Sequence, residues 1–130
     1  MTSTVFGPDS VRIVVPVQAV ATNQTYRTGR GRFFKSPEAE AYRTRLQLAA
    51  RQAMKGRQPF DGPVVVEIDF VFGSNRPDVD GPIKPTLDAL EGHVYANDRQ
   101  VRALHVYRYV EKNTPCVRIA VTKINEEASP

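Results

Sequence analysis

Residues 64–72, VVVEIDFVF, carry an apolar side chain at every even position (Val64, Val66, Ile68, Phe70, Phe72), while the odd positions include Glu67 and Asp69. Such alternation predicts a β-strand with one face fully covered and the other less so. A strand of this kind cannot stand alone; its apolar face needs a helix laid over it. Residues 37–55 supply one. Ser36-Pro37-Glu38 reads as a helix start, because Ser36 can cap, Pro37 has no N–H to lose, and Glu38 sits near the positive end. The spacing sets Tyr42, Leu46, Ala49 and Ala53 on one face, with Arg43, Arg45, Arg51 and Lys55 largely off it, and Gly56 as the stop.

The rest of the chain falls into order around these two elements. Val11 to Val17 alternates and predicts a strand. Residues 18–35 show no sustained period and predict a long loop. A short helix is expected from Gly81 to Leu90, with Ile83, Leu87 and Leu90 at helical spacing. Pro82 and Pro85 fit only near its first turn, where missing N–H groups are harmless. Residues 100–110 and 116–123 predict a hairpin around Lys112-Asn113-Thr114-Pro115. The order is β-α-β-α-β-β, an α/β (α+β) domain with helices packed on a small mixed sheet. At 130 residues the chain fits a single domain, 1–130, with flexible ends expected at 1–10 and 124–130.

Composition excludes several classes. No apolar run approaches the roughly 18 residues of a membrane span, and the start, MTSTVFGPDSVR, lacks a signal-peptide pattern. The single Cys116 rules out an internal disulfide and fits a cytoplasmic protein. Two His and one Cys are too few for a Cys/His zinc site, so a bound metal must be held by oxygen. The net charge of +4 hides an asymmetry: residues 1–57 carry 10 basic and 3 acidic side chains, residues 58–130 carry 8 and 11. Of the 18 basic residues 13 are Arg, the type suited to bidentate phosphate contact.

The acids form a pattern. Asp78-Val79-Asp80 follows the central strand, and in an extended segment i and i+2 project to the same side. Asp98 precedes the next strand, and a strand order pairing the two neighbours would bring it near Asp78 and Asp80. Carboxylates so placed repel unless a cation offsets them, and hard oxygen ligands suit Mg²⁺ or Mn²⁺. A bare D-x-D is also common on solvated turns. Lys84 and Asp88 lie four and eight residues after Asp80, on one stripe of a helix. They form either an ordinary i,i+4 pair or a cation set beside a phosphate site.

The stretch RPDVDGPIKPTLDALEGHVYANDRQV resembles the central signature of the RusA family of Holliday-junction resolvases. Asp78, Asp80, Lys84, Leu87-Asp88-Ala89-Leu90, Gly92, Asp98 and Gln100-Val101 match it position by position. The upstream NQTYRTGRGRFFKSPEAEAYR is similar to the family's Asn-x-x-Tyr basic loop and first helix, so the resemblance spans about residues 14–122. It implies a Mg²⁺-dependent crossover junction endodeoxyribonuclease (Mn²⁺ being the alternative ion), acting as a homodimer that nicks opposing strands and leaves 5′ phosphates. It puts catalytic, metal-holding acids at Asp78, Asp80 and Asp98, the catalytic lysine at Lys84 and a supporting acid at Asp88. There are departures: Gly81 stands where an Asn usually follows, Asn97 replaces the first member of a frequent Asp-Asp pair, and Ala21-Thr22-Asn23 replaces Ser-Val-Asn.

The basic half then has a role. Arg27, Arg30, Arg32 and Lys35, on a segment holding Gly29 and Gly31, can follow a phosphate backbone of a four-way DNA junction, and Arg76 is a candidate near the scissile bond. Tyr26, Phe33 and Phe34 are either base-stacking groups or anchors of the loop. Two related nicks call for a two-fold dimer; one candidate surface is the strand face Val101, Ala103, His105, Tyr107, Tyr109, which could equally be core. His93 is expected to be a solvated turn residue, His105 structural, and Glu67 and Asp69 a solvated or dimer-facing side. The rival readings are a non-catalytic junction or single-strand binding protein on the same fold, motivated by Gly81 and Asn97, and an acid-rich protein-interaction module.

Overall fold

The computed structural model describes residues 9–21, 25–27, 33–35 and 37–124. Its strands are β1 (Ser10–Val15), β2 (Thr25–Arg27), β3 (Phe33–Lys35), β4 (Val64–Phe72), β5 (Val101–Val110) and β6 (Cys116–Lys123); its helices are α1 (Pro37–Met54) and α2 (Ile83–Leu90). The main sheet has the order β1-β6-β4-β5. Within it β6 runs antiparallel to both β1 and β4, and β5 runs parallel to β4. This is the expected small mixed sheet with two helices.

The even face of β4 decides the arrangement. Val64, Val66, Ile68, Phe70 and Phe72 are all buried. Register sets them in rows with their neighbours: Val66 beside Val121 and Ile68 beside Ile119, which in turn faces Ile13. Tyr42, Leu46, Ala50 and Met54 of α1 join the same core. The expected helical face is thus rotated slightly: Ala49 and Ala53 pack at its margin, and the fully buried line follows strict i,i+4 spacing. Each large side chain so buried contributes about 1.5–3 kcal/mol.

Four expectations are corrected. Residues 100–110 and 116–123 do not form a hairpin, because β4 lies between β5 and β6. Val117, Ile119 and Val121 of β6 are buried and need an interior place, whereas β5 is largely exposed and takes the edge. The connection passes the end of β4, where the Glu111 N–H donates to the Phe72 carbonyl at 2.8 Å. Next, residues 18–35 are not wholly loop, since β2 and β3 pair through Thr25↔Lys35, Tyr26↔Phe34 and Arg27↔Phe33. Finally, β1 ends at Val15, before Pro16, a residue with no N–H for a ladder. β1 also begins inside the expected flexible start, with the Lys123 N–H bonded to the Asp9 carbonyl at 2.7 Å; residues 1–8 and 125–130 lie outside the described residues, as does Ser36.

α1 and α2 are joined by a buried hydrogen bond, Tyr42 Oη to Thr86 Oγ1 at 2.7 Å. The Thr86 hydroxyl donates to the Pro82 carbonyl at 2.7 Å, so Tyr42 is the donor. Burial pushes the Tyr42 phenol well above its ordinary range, so this donor keeps its proton. The helix carrying Lys84 and Asp88 is thereby fixed against the basic helix.

Candidate active site

The site follows from the parallel direction of β4 and β5. The chain leaves β4 at one end of the sheet and enters β5 at the other, with α2 making the return. Asp78 and Asp80 stand before α2, and Asp98 after it, beside its last turn.

The approach to α2 is held from two sides. The Arg108 guanidinium of β5 donates to the carbonyls of Pro77 (3.0 Å) and Asn75 (2.9 Å) and to Asn75 Oδ1 (2.6 Å). On the other side the Gly73 N–H donates to Gln18 Oε1 at 2.7 Å. Asp78 and Asp80 are exposed on this segment. Asp78 borders a cleft of about 770 Å³ shared with Arg45, Arg76, Glu38, Tyr42 and the 17–21 segment. Gly81 explains one departure from the family pattern. A Cβ there would lie 2.7 Å from the Cβ of Ala21, closer than two carbons pack. An asparagine has no room unless the 17–21 segment moves.

At the other end of α2, carboxylate oxygens of Asp88, Glu91 and Asp98 lie within 4.8 Å of one another, all three residues half-buried. Lys84 Nζ donates to Asp88 Oδ1 at 3.1 Å. That bond, joined by the charges of Asp98 and Glu91, raises the Lys84 pKa above its ordinary value and keeps the amine cationic. Tyr95 packs beneath, fully buried, its hydroxyl donating to the Leu87 carbonyl at 2.8 Å. Burial, with the same three acids, pushes its phenol far above its usual range.

Asp98 opens a 3-10 turn, Asp98–Gln100. The Asp98 N–H donates to Glu91 Oε2 at 3.2 Å, and the Arg99 N–H donates to Asn97 Oδ1 at 2.8 Å. Asn97, the second departure, is therefore the cap of this turn. Gln100 Oε1 accepts from the N–H groups of Ala96 and Asn97, each at 2.9 Å.

The structure thus brings Asp98 together with Asp88 and Lys84. Asp78 and Asp80 lie outside the acidic trio, and Arg76 is exposed at the cleft. Arg27 and Lys35 lie on β2 and β3, while Arg30 and Arg32 fall outside the described residues. Sequence reasoning missed Glu91; its signal was the i,i+3 spacing from Asp88, which puts both acids on one side of α2. It also missed Arg45, which faces the same cleft as Arg76. Asp69, read as solvated or dimer-facing, is paired with Arg118 at 3.2 Å, whereas Glu67 and His105 are exposed. His93 is half-buried in its turn, and burial, with Arg51 nearby, lowers its pKa.

No helix among the described residues is long and apolar enough to cross a membrane. In comparisons with known proteins, a family model described as Endodeoxyribonuclease RusA matches residues 16–122. No curated protein matches the chain.

Proposed function

The chain belongs to the RusA family of endodeoxyribonucleases, and from that premise we propose that it resolves four-way DNA junctions by paired, symmetric, metal-dependent nicks. The observation that carries this reading is the half-buried acidic trio with Lys84 bound to one of its members. Its donors are all carboxylate oxygens, a set that fits a hard divalent cation such as Mg²⁺ or Mn²⁺. Asp98, with Asp88 and Glu91 beside it, is proposed to hold it; Asp78 and Asp80, the other acids the family pattern assigns to metal, stand before α2 and outside the trio. When bound, such a cation supplies Lewis-acid stabilisation of the charge that builds on the scissile phosphate. Lys84 would supply a cation to the same phosphate, and its bond to Asp88 orients the amine. Asp78 lines the same cleft as Arg45 and Arg76, two of the arginines that would seat the DNA backbone.

Phosphate binding is assigned to Arg27, Arg30, Arg32, Lys35 and Arg76, with Arg45 added from the cleft. Two nicks related by symmetry call for a homodimer. The proposed surface is the open face of the sheet, where His105 and Tyr107 stand beside Glu67 and Asp69, with Tyr109 next along β5. Tyr107 and Tyr109 are 50% and 45% exposed, large apolar groups on a surface that no helix among the described residues covers. Val101 leaves that face: a register shift between Val64 and Val65 turns it to the core side, opposite Val64.

Six phosphate contacts give a quantitative expectation. Junction affinity should fall by roughly three orders of magnitude between 50 and 200 mM salt. Fluorescence anisotropy with a labelled junction measures it. No junction binding even at 50 mM salt would point instead to an acid-rich module that binds a protein partner, whose affinity moderate salt would leave intact.

A further inference from the structure

We propose that Gln100 is a positioning residue for the reaction, fixing the turn that carries Asp98 to the rigid core; this rests on the reading that Asp98 helps hold the cation. One side-chain amide has two acceptor sites and two donor hydrogens, and Gln100 uses all four. Its Oε1 takes the Ala96 and Asn97 N–H groups just before Asp98. Its Nε2 donates to the carbonyls of Phe60 at 2.8 Å and Gly62 at 2.7 Å, about forty residues away in sequence.

The anchor is itself firm. Phe60 is buried and its N–H donates to the Val94 carbonyl at 2.7 Å, and the next residues lead straight into β4. The Asp98 turn is therefore tied to the entry of the central strand. The tie has work to do because three carboxylates within 4.8 Å repel one another in the absence of a cation. A loose turn would relax by swinging Asp98 away. Gln100, with the Asp98 N–H held on Glu91, opposes that relaxation and keeps the oxygens together before the metal arrives.

Two variants test this. Gln100→Met keeps the length and removes all four bonds. Gln100→Glu keeps an acceptor for Ala96 and Asn97 but sets a carboxylate against the Phe60 and Gly62 carbonyls. Two quantities are read: amide hydrogen exchange at residues 96–98 of the metal-free protein, and Mn²⁺ affinity by titration calorimetry. Both variants should exchange faster at these amides and bind Mn²⁺ at least about tenfold more weakly, with the rest of the exchange pattern unchanged. The Gln100→Glu result is the sharper one, because an added negative charge acting by charge alone would tighten Mn²⁺ binding. Wild-type Mn²⁺ affinity in folded variants would overturn the positioning role while leaving the site intact. If the wild-type chain binds no Mn²⁺, the reading beneath the proposal fails, and the proposal with it.

Discussion

Asp98→Asn should reduce the single-turnover rate of junction cleavage by at least about a thousandfold, equivalent to about 4 kcal/mol of transition-state stabilisation. The substitution keeps size and shape. The backbone bond from Asp98 N–H to Glu91, the Asn97 cap and the Gln100 contacts all survive it. What it removes is one negative charge and one strong oxygen ligand from the trio. Loss of a charge from a repelling cluster leaves folding no worse, so thermal unfolding should be unchanged or slightly later. Junction binding should persist, because the substitution removes none of the basic groups assigned to phosphate. Cleavage at the wild-type rate would show that Asp98 holds no catalytic cation. Asp80→Asn, tested alongside, asks the same of the acids before α2.

Lys84→Met should lower the cleavage rate by about a hundredfold to a thousandfold, the range seen when a fixed charge-stabilising donor is removed. Its side chain is 70% exposed and pairs with Asp88 on the same helix. An exposed pair of that kind contributes little to stability, so circular dichroism and the unfolding midpoint should hardly move. The effect should fall on the rate at saturating junction rather than on affinity. A variant that binds junction weakly but cleaves normally once saturated would make Lys84 a DNA-gripping residue instead.

The sequence was most legible where local pattern and burial agree. The alternation of β4 is two-sided in its demands: five apolar even positions specify a covered face, and each of them is buried. Pro37 at the first turn and Gly56 at the end mark α1 within a residue or two, and Gly56 has the positive φ of 81° that ends a helix readily. The pairing of β5 and β6 was not legible, because strand partners are chosen by which faces must be interior, a property of the whole sheet. Adjacency along the chain suggested a hairpin; the apolar face of β6 drew it to the other side of β4.

The site divides in the same way. Asp98, Asp88 and Lys84 were legible as acids and a cation at helical spacing or before a strand, and the fold brings these three into one neighbourhood. Glu91 was hidden because an acid at the end of a short helix looks like surface charge until Asp98 folds back onto it. The supporting groups were out of reach for a simpler reason. Gln100 finds Phe60 and Gly62, and Arg108 finds Asn75 and Pro77, across more than thirty residues. Gly81 and Ala21, two separate departures from the family pattern, turn out to be neighbours, so that a Cβ at position 81 would collide with Ala21.

Whether these acids serve a metal-dependent junction resolvase is decided by incubating the purified chain with a synthetic four-way junction, with Mg²⁺ or with a chelator, and mapping the cuts in all four strands. The expected result is Mg²⁺-dependent nicks at symmetric positions in one opposing pair of strands, leaving 5′ phosphates. Tight, salt-sensitive binding of the junction with no nick in any strand, in Mg²⁺ or Mn²⁺, would contradict it and mark the chain as a binding protein on a nuclease fold.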